Sequence, residues 1–156
     1  MKYIEVKKSK IDGNGLFVNR NVKRGQFVSF LKGKVCKKEN QSKEDSLDNP
    51  CWVGVGKNEW LDPAYPFKFI NHSCNPSVGI RGRVTLVALR DMKPGDEITF
   101  DYSITEIDPN WYMNCKCGEK NCRKKIRSIQ YLPKKILKRY FPFIPTYFRR
   151  SILDLP

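Results

Sequence analysis

Residues 71–76 read Asn71-His72-Ser73-Cys74-Asn75-Pro76, a dense polar knot directly behind the apolar run Phe67-Lys68-Phe69-Ile70. Alone, such a cluster reads as a turn, because Asn and Ser side chains bond their own backbone and Pro fixes φ. It does not stand alone. Downstream comes Gly95-Asp96-Glu97-Ile98-Thr99-Phe100-Asp101-Tyr102, a turn feeding a short strand that ends in two aromatics and an acid. Upstream stands Gly13-Asn14-Gly15, a turn opening an apolar strand.

The chain around these stretches carries the marks of short strands. Residues 3–7 alternate, 16–19 are apolar, and 26–31 follow the Arg24-Gly25 turn. Residues 52–55 and 59–61 flank Gly56-Lys57-Asn58 and predict a hairpin. A second hairpin is predicted across Arg81-Gly82-Arg83, with its return strand, 84–89, buried; a further strand is expected over 97–102. Residues 36–50 show no apolar period and read as an exposed loop or a marginal helix. From Tyr131 the spacing of Leu132, Ile136, Leu137, Tyr140 and Phe141 predicts a helix, which Pro142 and Pro145 interrupt. With 156 residues, 40% of them hydrophobic and 12% aromatic, the expectation is one mostly-β core with a helical C-terminal tail.

Charge is concentrated at one end. The net charge is +14, of which residues 115–156 carry +10. A compact basic surface suits nucleic acid, an anionic membrane or an acidic protein, and equally a solvated face that keeps the protein soluble. No run approaches the roughly 18 apolar residues of a membrane-spanning helix, and no export signal is visible behind Met1, so neither a membrane span nor export is expected. Of six cysteines, Cys115, Cys117 and Cys122 crowd into C-x-C-x4-C, which favours metal over disulfides and predicts a reducing, intracellular setting. Three thiolates leave a structural zinc one ligand short, and Cys36, Cys51, Cys74 and the sole histidine, His72, are the candidates.

The order and spacing of the three stretches and the cysteine run resemble the SET domain family of protein-lysine methyltransferases with its post-SET zinc knuckle, over about residues 3–126. That resemblance implies a fold of small curled β-sheets with a C-terminal pseudoknot, divided into a SET domain at 1–110, a post-SET zinc knuckle at 111–127 and a basic, aromatic-rich tail at 128–156. It implies S-adenosylmethionine as cofactor, held by Asn71 and the backbone of His72, with main-chain contacts from Gly13, Asn14, Gly15 and Leu16. Tyr102 matches the catalytic tyrosine, and Phe100 a lysine-channel position where phenylalanine permits two or three methyl groups. Cys74 matches the cysteine that joins Cys115, Cys117 and Cys122 around one structural Zn2+. Cys36 and Cys51 are then expected as small buried hydrophobes, and Ile126 is a candidate to cover the adenine.

The chemistry fits the residue set. A lysine ammonium, with an ordinary pKa near 10.4, must lose a proton before it can attack, and a narrow aromatic channel beside a cationic sulfonium would drive that without a dedicated base. Glu97 and Asp101, four residues apart on a strand, stand about 13 Å from each other, too far to share a proton, and read as structural. The expected activity is methyl transfer to a protein lysine, with histone tails as leading substrate class, chromatin as the expected setting and a nucleic-acid contact through the basic tail. Two rivals remain: a non-catalytic zinc module that binds nucleic acid through 115–156, and a methyltransferase acting on a non-histone basic protein.

Overall fold

A computed structural model describes residues 3–37 and 53–153. Twelve short strands fall into four small sheets among these residues, some closed by turns that the sequence marks and others by long-range pairing. β1 (Ile4–Lys8) and β2 (Asn14–Val18) form an antiparallel hairpin, with Lys8 opposite Asn14 and Ile4 opposite Val18. Gly13, at φ +45°, closes it, a conformation that costs other residues a steric clash. β3 (Phe27–Phe30) pairs with β9 (Thr85–Ala88), which pairs with β8 (Val78–Arg81) across Gly82.

β4 (Gly33–Lys37), β6 (Glu59–Pro63) and β5 (Val53–Gly56) make the third sheet. β4 was not marked by the sequence, and it takes Cys36 out of the expected loop: Cys36 lies half-buried on this strand rather than in the core. The rest of that loop, with Cys51 and Trp52, lies outside the described residues.

The sheet that organises the molecule has the order β1-β2-β10-β7. β10 (Glu97–Phe100) runs antiparallel to β2 and parallel to the two-residue β7 (Asn71–His72), with Thr99 opposite Asn71 and Phe100 opposite His72. The expected strand over 97–102 stops at Phe100. Asp101 is the reason: its carboxylate accepts the Ser103 N–H at 3.1 Å and caps a 3-10 turn, Tyr102–Thr105. A small antiparallel pair, β11 (Tyr112–Asn114) and β12 (Lys125–Arg127), carries the cysteine run between its strands.

The core is continuous from the body into the tail. Leu16, Ile98, Ile80 and Leu86 are fully buried and share one cluster with Tyr140, Ile144 and Phe148. The tail folds as α1 (Lys134–Tyr140), a 3-10 turn at Phe141–Phe143, and α2 (Thr146–Leu153), which begins just after Pro145. Two body glycines receive its aromatics. A Cβ on Gly54 would overlap the Phe148 ring and the Thr105 carbonyl oxygen, and one on Gly79 would lie 2.5 Å from Phe143 Cβ. Full burial of such a ring is worth about 1.5–3 kcal/mol, so the tail is held by packing rather than by charge. Among the described residues no helix is long and apolar enough to cross a membrane.

Candidate active site and metal centre

A cavity of about 940 Å³ opens where the first hairpin, β7 and the loop into β11 converge. Its floor is Gly13, Asn14, Asn71, His72 and Tyr102, and its outer wall is Trp111, Tyr112 and Met113. Five residues from separate sequence stretches thus meet in one space. The parallel β7–β10 pairing brings them together, because it lays Tyr102 beside Asn71 and His72.

Asn71 ties the glycine turn to this sheet. Its Nδ2 donates to the carbonyl oxygens of Asp12 and Asn14, both at 3.1 Å, and to Glu97 Oε1 at 2.8 Å. Glu97 is held in turn by Ser9 Oγ at 2.9 Å. Gly15 and Leu16 do not line the cavity: Leu16 is fully buried in the core, and a Cβ on Gly15 would overlap Glu97. Glu97 and Asp101 serve separate networks.

Tyr102 donates its hydroxyl proton to the Ile70 carbonyl at 2.7 Å, and its backbone N–H donates to His72 Nδ1 at 3.2 Å. Burial pushes His72 down to about 4, against a smaller upward pull from Asp101, so the imidazole is neutral at physiological pH. Since Nδ1 accepts from Tyr102, the ring proton resides on Nε2, 3.4 Å from Cys74 Sγ. Phe100 is buried with its ring 4.9 Å from that of Tyr102, behind the cavity wall rather than on it.

Cys74, Cys115, Cys117 and Cys122 bring four sulfur atoms within 4.8 Å of one another. Four thiols at this spacing form a closed site of the kind that holds structural zinc. Burial pushes the Cys74 and Cys115 thiols up, and a cation bound among the four sulfurs would hold them as thiolates. Cys117 lies below its ordinary value, because burial, which raises it, is outweighed by hydrogen bonds from the backbone at Cys74 and Glu119 and from the neighbouring thiols. His72 does not join the ligands; it abuts them. Ile126, the candidate adenine cover, is instead buried within the cysteine cluster, because β12 turns it inward.

Arg123 had no marked role in the sequence beyond its charge. Its Nη2 pairs with Asp101 Oδ1 at 2.6 Å, and its backbone N–H and Nε reach Cys74 Sγ at 3.4 and 3.5 Å. No periodicity singles it out, nor the cavity residues Trp111 and Met113, because each gains its place through long-range contacts.

Comparison with known proteins matches residues 13–103 to the family described as SET domain. The chain is 32% identical over 142 residues to the "Variant-silencing SET domain-containing protein" of Plasmodium falciparum (isolate 3D7), covering 78% of this chain and 6% of that protein. It is 34% identical over 134 residues to mouse "Histone-lysine N-methyltransferase NSD3", covering 76% of this chain and 9% of that protein. The chain therefore spans less than a tenth of the length of either relative. In fold it is similar to the "crystal structure of KRYPTONITE in complex with mCHG DNA and SAH", with a TM-score of 0.63 and 23% identity over 80% of this chain and 29% of that one.

Proposed function

The chain belongs to the SET domain family, and on that premise we propose that it transfers methyl groups from S-adenosylmethionine to a lysine of a protein substrate. The observation that carries the reading is the convergence of Asn71, His72 and Tyr102 with the Gly13-Asn14 turn on one 940 Å³ cavity, large enough for a cofactor and one entering side chain. Relatives named histone-lysine N-methyltransferase support the reaction, and a similar fold crystallised with an H3(1–15) peptide and SAH supports the substrate class and the cofactor.

The residues fit the cofactor. Asn71 spends its amide protons on the protein and leaves its Oδ1 without a protein donor among the described residues, an acceptor for an ammonium group. Main-chain groups of the glycine turn and the aromatic wall at Trp111 and Tyr112 supply polar and stacking surface. When bound, S-adenosylmethionine supplies an electrophilic methyl on a cationic sulfonium. Tyr102 orients the incoming lysine nitrogen through its hydroxyl, already aimed by the Ile70 carbonyl. The apolar surroundings disfavour the charged ammonium and exclude water, so the amine enters neutral.

Histone tails are the proposed substrate, and chromatin the proposed setting. Phe100 favours transfer beyond one methyl, because its ring brings no hydroxyl to occupy the space a second methyl needs. The test is Tyr102→Phe: S-adenosylmethionine should bind with unchanged affinity by calorimetry while methylation of an H3 peptide falls at least about 100-fold. Turnover near wild type overturns the assignment. A wild type that shows no heat with S-adenosylmethionine would instead make the chain a non-catalytic module, and mass spectrometry of a treated lysate distinguishes histone from other basic substrates.

A nucleic-acid contact is the second reading, favoured by the way the basic tail is fixed. Lys125 lies 3.8 Å from the Tyr112 ring and Arg127 3.4 Å from the Tyr131 ring, both rings exposed, and among the described residues of the tail and knuckle only Arg123 pairs with a carboxylate. Binding to duplex DNA should weaken steeply with salt, and Lys134→Glu with Lys135→Glu should flatten that slope by about two ions. Salt-independent binding removes this reading.

A further inference from the structure

We propose that Arg123 is a positioning residue: it ties the thiolate cluster to the turn that carries Tyr102, so that metal occupancy and the placement of Tyr102 are one event. This rests on the methyl-transfer reading of the same cavity.

Two tethers run from Cys74 Sγ to the start of that turn. In the first, His72 Nε2 faces the sulfur at 3.4 Å and Nδ1 accepts the Tyr102 N–H at 3.2 Å. In the second, Arg123 reaches the sulfur with Nε and its backbone N–H, and grips Asp101 Oδ1 at 2.6 Å with Nη2. That same Oδ1 accepts the Ser103 N–H, so both tethers end on successive peptide groups of the Tyr102–Thr105 turn.

Arg123 is the member with no substitute. Asp101 is 1% exposed and its Oδ2 is buried without a partner; among the described residues the Arg123 guanidinium is the one cation paired with it, the nearby His72 ring being neutral. A planar fork can hold a carboxylate with one nitrogen and a thiolate with another. A lysine ammonium in the same place is a point charge, able to keep Asp101 but not to reach Cys74 with the side chain as well, so only the backbone N–H would still meet the sulfur.

Arg123→Lys is therefore the informative variant. It should keep the fold, one zinc per chain and the S-adenosylmethionine affinity, while kcat falls about 10- to 100-fold with the peptide KM little changed. Zinc transfer to a colorimetric chelator should become about tenfold faster, a readout independent of methylation. Arg123→Ala leaves Asp101 buried and unpaired and is expected to unfold readily, so the neutral pair Asp101→Asn with Arg123→Met is the companion. It should regain thermal stability without regaining kcat. Unchanged kcat in Arg123→Lys, unchanged zinc release, or full recovery of kcat in the neutral pair would each overturn the proposal. A wild type that makes no methylated product defeats the methyl-transfer reading instead, and the zinc-release comparison still decides whether Arg123 holds the cluster.

Discussion

The Phe148 ring of α2 lies directly on the bare Cα of Gly54 in β5, a contact that leaves no room for a methyl group. Gly54→Ala should therefore cost about 1–3 kcal/mol through overpacking, seen as a fall of several degrees in Tm. Shortening the partner, as Phe148→Leu, should recover part of the loss in the double variant. Additive losses would show that the two side chains do not meet.

Much of the body was legible from turn chemistry. The glycine turns at 13, 25, 82 and 95 all have positive φ, and each is followed by a strand that the sequence marks as an apolar run or by its place after the turn. What escaped has no local signature. β7 is two residues long and exists because β10 bonds to it from 28 residues away, and β11 and β12 are held apart in sequence by the cysteine run. The convergence of Cys74 with the later cysteines came through the family resemblance, since a single cysteine in a polar turn has no pattern of its own. Arg123 and Trp111 show the limit most clearly: their places are set by partners in other elements.

Phe100→Tyr tests how many methyl groups are transferred. The buried ring packs 4.9 Å from that of Tyr102 from behind the cavity wall, so on the proposed reading an added hydroxyl would hold a water beside Tyr102, in the space a second methyl needs. The wild type should progress beyond monomethyl-lysine at long times, and the variant should accumulate monomethyl-lysine with the first transfer nearly unchanged. A wild type that stops at one methyl would assign that control to another residue.

Cys74→Ser should abolish stoichiometric zinc, because the remaining three thiols leave the site open. Cys36→Ser should leave it at one per chain, since Cys36 sits half-buried on β4, apart from the cluster. Elemental analysis after gel filtration reads both. Zinc retained in Cys74→Ser would place the fourth ligand elsewhere.

Glu106 carries a pH signature. Burial raises its pKa, against hydrogen bonds from the Asp108 and Ile107 N–H groups to Oε1, both at 2.8 Å. A raised folded value means that its stabilising contribution is present below the unfolded pKa and is lost as pH rises through the folded one. Glu106→Gln keeps the acceptor without the charge, so it should gain about 2 °C in Tm at neutral pH. The gain should vanish as the pH is lowered through the raised value; an equal gain at both ends would mean the charge is not the cause.

The position of β10 between β2 and β7 also bears on how the chain is made. Synthesis delivers β2 and then Asn71-His72 long before Phe100, so a nascent chain leaves both with open edges until the strand that joins them has cleared the ribosome. Loop closure over such distances is slow, and unpaired edges in the meantime invite mispairing. Ligand binding should then appear abruptly, once the residues that follow β10 have emerged, and a chain stalled before that point should be a client for chaperones rather than a partly assembled site.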